Sequence, residues 1–129
     1  MNLLNGVHHI NLKAPGYDCW RETLAFYTET MGLPLVRRWG EGDGSGAMID
    51  LGGCLLELMA TGEAEPGIGR FTHIAFRTDS ADAALELARS AGRPVLKEPF
   101  DVVLGGDYPI RVAFCQGVAG EEIEFFQER

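Results

Sequence analysis

The sequence predicts an α+β fold of two tandem βαβββ modules whose strands form a curved mixed sheet with one concave face. Three observations predict it. The order strand, helix, three strands runs once from Val7 to Ala60 and again from Arg70 to Gln127. Each half carries a single helix signal, enough to cover one face of its strands and leave the other open. Between the halves lies TGEAEPGIG (61–69), a Gly- and Pro-containing connector. The 129 residues are read as one domain, with module one at about 5–62 and module two at about 70–128.

Val7–Lys13 alternates as a strand and Pro15-Gly16 breaks it. Asp18 is placed to cap a helix running to about Met31, with Gly32 closing it and Trp20, Leu24, Tyr27 and Met31 on its inner face. Strands follow near Leu35–Trp39, Ala47–Leu51 and Cys54–Ala60. The GEGDGSG run between the first two of these reads as a turn, since its glycine spacing is not that of a phosphate-binding loop. In the repeat, Arg70–Thr78 is a strand and Asp79 or Ser80 caps a helix to about Ala91. That helix turns Ala81, Ala84, Leu85 and Ala88 inward and ends at Gly92; strands follow near Val95–Val103, Ile110–Cys115 and Glu121–Gln127.

A hydrophobic content of 46% and no apolar run of membrane-spanning length predict a globular protein that neither crosses nor coats a membrane. The net charge of −8 argues against a nucleic-acid partner and leaves a small molecule as the expected ligand. The opening MNLLNGVHHI has neither a basic region nor a cleavage pattern, which predicts a cytoplasmic location. Cys19, Cys54 and Cys115 are odd in number and widely spaced, as expected of reduced thiols.

Strand alternation sorts the side chains. Ile10, Leu12, Leu56 and Leu58 of the first half, and Ile74, Phe76, Ile123 and Phe125 of the second, should pack under the helices. The open face then receives His9, Asn11 and Glu57 from one half, and His73, Arg77 and Glu124 from the other. Each half thus delivers one histidine from its first strand and one glutamate from its last, at nearly the same spacing. Four solvated residues on an open sheet face would also satisfy this pattern, but their matched placement favours a metal centre. Two imidazoles and two carboxylates suit a borderline divalent ion: Ni²⁺, Co²⁺, Zn²⁺, Mn²⁺ or Fe²⁺. On this reading His9, Glu57, His73 and Glu124 are metal ligands around a concave metal or ligand site. Asn11, Arg77 and Arg111, polar residues in otherwise apolar strands, are candidate substrate contacts. His8 has the opposite parity to His9 and reads as a strand-edge or helix-side residue.

The segments HHINL, LAFYTETMGLPLV, LLELM, THIAF and GEEIEFF, spread over nearly the whole chain, resemble the vicinal oxygen chelate superfamily. That superfamily includes glyoxalase I, methylmalonyl-CoA epimerase, extradiol dioxygenases, and fosfomycin and bleomycin resistance proteins. The resemblance implies that His9, Glu57, His73 and Glu124 fall where bacterial-type glyoxalase I carries its metal set. It implies a lyase or isomerase acting on an oxygen-chelating substrate through an enediolate, with Glu124 as base and Glu57 as shuttle or ligand. A homodimer is implied as well. A drug-binding resistance protein without catalysis, an epimerase and a dioxygenase are the alternatives within the same superfamily. Two departures stand out. Many relatives have Asp-Pro-Asp-Gly before the last strand, where this chain has Gly117–Gly120 (GVAG). Lys13 falls where glyoxalase I has an arginine that binds glutathione, so the resemblance leaves a glutathione substrate open.

Overall fold

The computed structural model describes residues 7–62, 73–104 and 106–129. The chain divides into two compact units, Met1–Glu65 and Pro66–Arg129. The boundary falls in the connector expected from the sequence, of which 63–69 lie outside the described residues, as do 70–72 of the expected fifth strand.

The first unit runs β1 (His9–Lys13), α1 (Tyr17–Ala25), β2 (Leu35–Trp39), β3 (Gly46–Asp50) and β4 (Leu55–Met59). Its sheet has the order β1-β4-β3-β2, with β1 parallel to β4 and the other pairs antiparallel. The second unit runs β5 (Ile74–Arg77), α2 (Ala81–Ser90), β6 (Val95–Leu104), β7 (Tyr108–Gln116) and β8 (Glu122–Glu128). Its order is β5-β8-β7-β6, with β5 parallel to β8. Both units are therefore βαβββ with a mixed sheet, as the repeat predicts. A parallel pair cannot be joined by a tight hairpin. The helix and two strands between β1 and β4 make the return, and the last strand of each unit lands beside its first.

Each helix buries the face its periodicity marks. Trp20, Leu24 and Tyr27 are buried in the first unit, as are Ile49, Leu56 and Leu58 of its sheet. The Trp20 indole Nε1 donates to the Leu58 carbonyl at 2.9 Å, fastening α1 to β4. In the second unit Ala81, Leu85 and Ala88 are buried, as are Ala113, Cys115, Ile123 and Phe125 of its sheet.

The ends of the first helix differ from expectation. Gly16, not Asp18, is the N-cap, and Asp18 lies in the first turn. The Tyr17 N–H donates instead to the Asp43 carboxylate at 3.0 Å. Asp43 sits in the GEGDGSG loop, whose centre, Gly42–Gly44, is a short 3₁₀ turn. Beyond Ala25 the chain widens into a π-helical segment, Phe26–Thr30. In the second helix Ser80 is the cap, its hydroxyl accepting from the Ala83 N–H at 3.1 Å. Gly32 and Gly92 follow the two helical segments at φ 77° and 81°, a conformation that a side chain would strain.

Ile10 also departs from expectation. It faces the helix side but is 39% exposed, because β1 is the edge strand of its sheet and α1 lies over β4. Among the described residues no helix is long and apolar enough to cross a membrane.

All three cysteines are free thiols. Burial pushes the Cys115 thiol up to about 11, with the Glu121 carboxylate adding to the rise. At pH 8 about one thiol in a thousand is then ionised, and the thiolate is the reacting form. Cys115 is expected to stay unalkylated by iodoacetamide in native protein and to react fully in denaturant. Peptide mapping by mass spectrometry checks this, and rapid native labelling would contradict it.

Candidate functional site

The parallel strand pairs create the same arrangement twice. In the first unit Asn11 is the Cα partner of Glu57, and His9 lies two residues earlier on the same strand face. In the second, Ala75 is the partner of Glu124, and His73 lies two residues earlier. Residues two apart on a strand share a face, so each histidine reaches diagonally to the glutamate of the neighbouring strand. His9 Nε2 is 3.5 Å from Glu57 Oε1. His73 Nε2 is 3.1 Å from Glu124 Oε1.

The two pairs differ in their surroundings. Asn11 Nδ2 donates to Glu57 Oε1 at 2.8 Å. The equivalent position beside Glu124 is Ala75, which has no side-chain donor. The Glu124 side chain is 12% exposed against 23% for Glu57. Burial pushes the Glu124 carboxyl above the usual carboxylate range; the neighbouring His73 imidazole opposes the rise, Glu122 adds to it, and Lys97 opposes it. Desolvation penalises the charged form and explains the direction.

The rest of this face of the second unit is apolar toward the β6–β7 hairpin. Ile110, Val112 and Phe114 form a buried cluster with Val102 and Phe126 against it. The Phe114 ring meets His73 edge-on, with centroids 6.0 Å apart, and Lys97 Nζ lies 5.1 Å from the Phe114 centroid.

The sequence-predicted residues fall as follows. His9, Asn11 and Glu57 come together, and so do His73 and Glu124. Arg77 is the partner of Phe126 and shares the Glu124 face. Arg111 does not: its strand partner is Gln127, which belongs to the opposite face. Arg111 makes a two-point contact with Asp82 of α2, at 2.6 and 2.9 Å, and lies 3.3 Å from Asp101. These bonds hold the Asp82 carboxyl below its ordinary range. Arg111 therefore fastens strands β7 and β6 to the helix on the side away from Glu124. Its polarity in an otherwise apolar strand, the ground for expecting a substrate contact, is met in the structure by Asp82 and Asp101.

Two neighbours escaped the sequence reading. His8 precedes β1 with the opposite parity to His9, yet its Nδ1 lies 2.9 Å from His9 Nδ1. Lys97 was hidden by the irregular register between Lys97 and Phe100 in β6.

The donor chemistry of each pair, one imidazole nitrogen beside one carboxylate oxygen, fits a borderline divalent ion. Two donors alone do not make a complete site, and among the described residues no group of three or more His, Cys, Asp or Glu side chains able to hold a metal occurs.

The family model described as Glyoxalase/Bleomycin resistance protein/Dioxygenase superfamily matches residues 6–125. The chain belongs to this superfamily. Solved structures agree on the fold. SMU.1112c superposes with a TM-score of 0.74 at 21% identity, covering 96% of this chain and 99% of that one. A glyoxalase/bleomycin resistance protein/dioxygenase from Alicyclobacillus acidocaldarius gives 0.69 at 20% identity, covering 96% and 92%. A variant of glyoxalase I from Zea mays gives 0.74 at 25% identity, covering 95% of this chain and 45% of that one, so this chain spans under half of the maize enzyme's length. A search of curated proteins found no match.

Proposed function

We propose that this superfamily member is a metal-dependent lyase or isomerase of glyoxalase type, acting on a small substrate that offers two neighbouring oxygens. The observation that carries the reading is the repeated His–Glu pair, set in the same register of a parallel strand pair in both units. The proposed ligand set is His9, Glu57, His73 and Glu124, drawn from one chain or from two copies of it. A bound divalent ion supplies Lewis-acid stabilisation of negative charge developing on the substrate oxygens, an effect worth several kcal/mol.

The chain's own residues divide the remaining work. Glu124, poorly hydrated and with its carboxyl pushed up, takes a proton from the substrate carbon and returns it. Glu57, held by the Asn11 amide, stays a ligand. Arg77, exposed on the Glu124 face, is a candidate substrate contact.

Elemental analysis and titration of purified protein test the ligand set. Wild type is expected to take up about one divalent ion per chain, and His73→Ala to lose most of it. Equal uptake by the two proteins would sink the assignment. A homodimer is part of the same proposal; light scattering at micromolar concentration is expected to give twice the chain mass.

A second reading is a non-catalytic protein that sequesters a small apolar molecule. It is favoured by the cluster of Ile110, Val112, Phe114, Val102 and Phe126 on the Glu124 face. Ligand binding of equal strength with and without metal, and no turnover, would support it over the first.

A further inference from the structure

His8 is unused in that scheme, yet its ring is bonded to one of the proposed ligands. The two Nδ1 atoms are 2.9 Å apart, and the rings are nearly perpendicular at 85° with centroids 5.1 Å apart. A hydrogen bond between two imidazole nitrogens has one donor and one acceptor. If His8 donates, His9 is left with its other proton on Nε2. If His9 donates from Nδ1, its Nε2 carries a bare lone pair. That Nε2 is the atom facing Glu57 Oε1 at 3.5 Å. The ring is thus oriented with its ligating nitrogen toward the carboxylate and its remaining nitrogen toward His8. Metal-binding histidines are commonly fixed by a partner on the second ring nitrogen, and loss of that partner typically costs 10–100-fold in metal affinity.

We propose that His8 is a positioning residue for the metal site: it accepts the Nδ1–H of His9, fixes the tautomer of that ring and leaves Nε2 free to bind the ion. The proposal rests on the reading of His9 as a ligand. It gives the adjacent His8-His9 pair two distinct roles, one histidine binding and the other selecting which nitrogen binds.

The test uses ¹⁵N-labelled full chain titrated with Co²⁺ or Zn²⁺, with His9→Ala as the reference for loss of the ligand itself. In Zn²⁺-loaded wild type, long-range ¹H–¹⁵N spectra are expected to show the His9 proton on Nδ1. His8→Ala is expected to weaken Co²⁺ binding by roughly 10–100-fold. His8→Asn, whose side-chain carbonyl can accept the same proton, is expected to recover much of that loss, which a merely structural role would not predict. Wild-type affinity in His8→Ala, together with loss in His9→Ala, would overturn the role of His8 while leaving the metal reading intact. No uptake of either ion by wild type would overturn both.

Discussion

Glu124→Gln is expected to keep most of the metal and to lose proton exchange at the substrate carbon by roughly 10²-fold or more. A ligand must stay in place, whereas a base must detach and accept a proton. Glutamine preserves the shape and one oxygen donor but cannot act as a base near neutral pH. Two observations support the proposed choice of Glu124 over Glu57 for this task. Glu57 accepts the Asn11 amide at 2.8 Å, which holds its carboxylate in place. Glu124 faces Ala75 at the equivalent position, and its burial raises the proton affinity that a base near neutral pH needs. The measurement is solvent deuterium exchange on glutathione hemithioacetals, 2-hydroxyketones and acyl-CoA thioesters, with Ni²⁺, Co²⁺, Zn²⁺, Mn²⁺ and Fe²⁺ each supplied. If Glu124→Gln exchanges as fast as wild type, the base is elsewhere and Glu57 is the next to test. If wild type exchanges nothing in any combination, the binding-protein reading gains.

Trp20→Ala should destabilise the first unit by about 3–5 kcal/mol, the usual range for removing a buried aromatic side chain. Trp20 is fully buried and its indole stacks on Tyr17. The Arg38 guanidinium lies 5.0 Å from the indole centroid on β2. One side chain thereby ties α1 to β4, the strand that carries Glu57, and to β2. A loss of that size is a large share of the 5–15 kcal/mol typical of a small domain. Urea unfolding followed by circular dichroism should show a lower midpoint with little change in slope. Trp20→Phe, which keeps most of the apolar area but not the bond to Leu58, should lose less. A midpoint for Trp20→Ala within error of wild type would contradict this account of the core.

Much of this was legible from periodicity. The order of elements, the inner faces of both helices and the facing of His9, Glu57, His73 and Glu124 follow from periods of two and 3.6 residues applied to two copies of one pattern. What escaped depends on residues distant in sequence or on broken periodicity. Asp43, far along the chain from Tyr17, caps the first helix, and no local rule brings the two together. Ile10 is apolar at a core parity yet exposed, since alternation does not say that β1 lies at the sheet edge. His8 has the opposite parity to His9, and alternation does not foresee a ring contact between adjacent residues. Arg111 stands out in the sequence by its polarity alone, and its partner Asp82 lies far from it along the chain.

The exchange of asparagine for alanine at one matched position, Asn11 against Ala75, has a stereochemical consequence. Two equally free carboxylates could remove a proton from one side of a carbon and deliver another to the opposite side, inverting its configuration. A carboxylate tethered by an amide does not readily serve as such a partner. With Glu124 alone as the proposed base, the proton would leave and return on a single side. On the proposed reading of Glu124 as base, the expected course is handedness-preserving proton transfer and not racemisation.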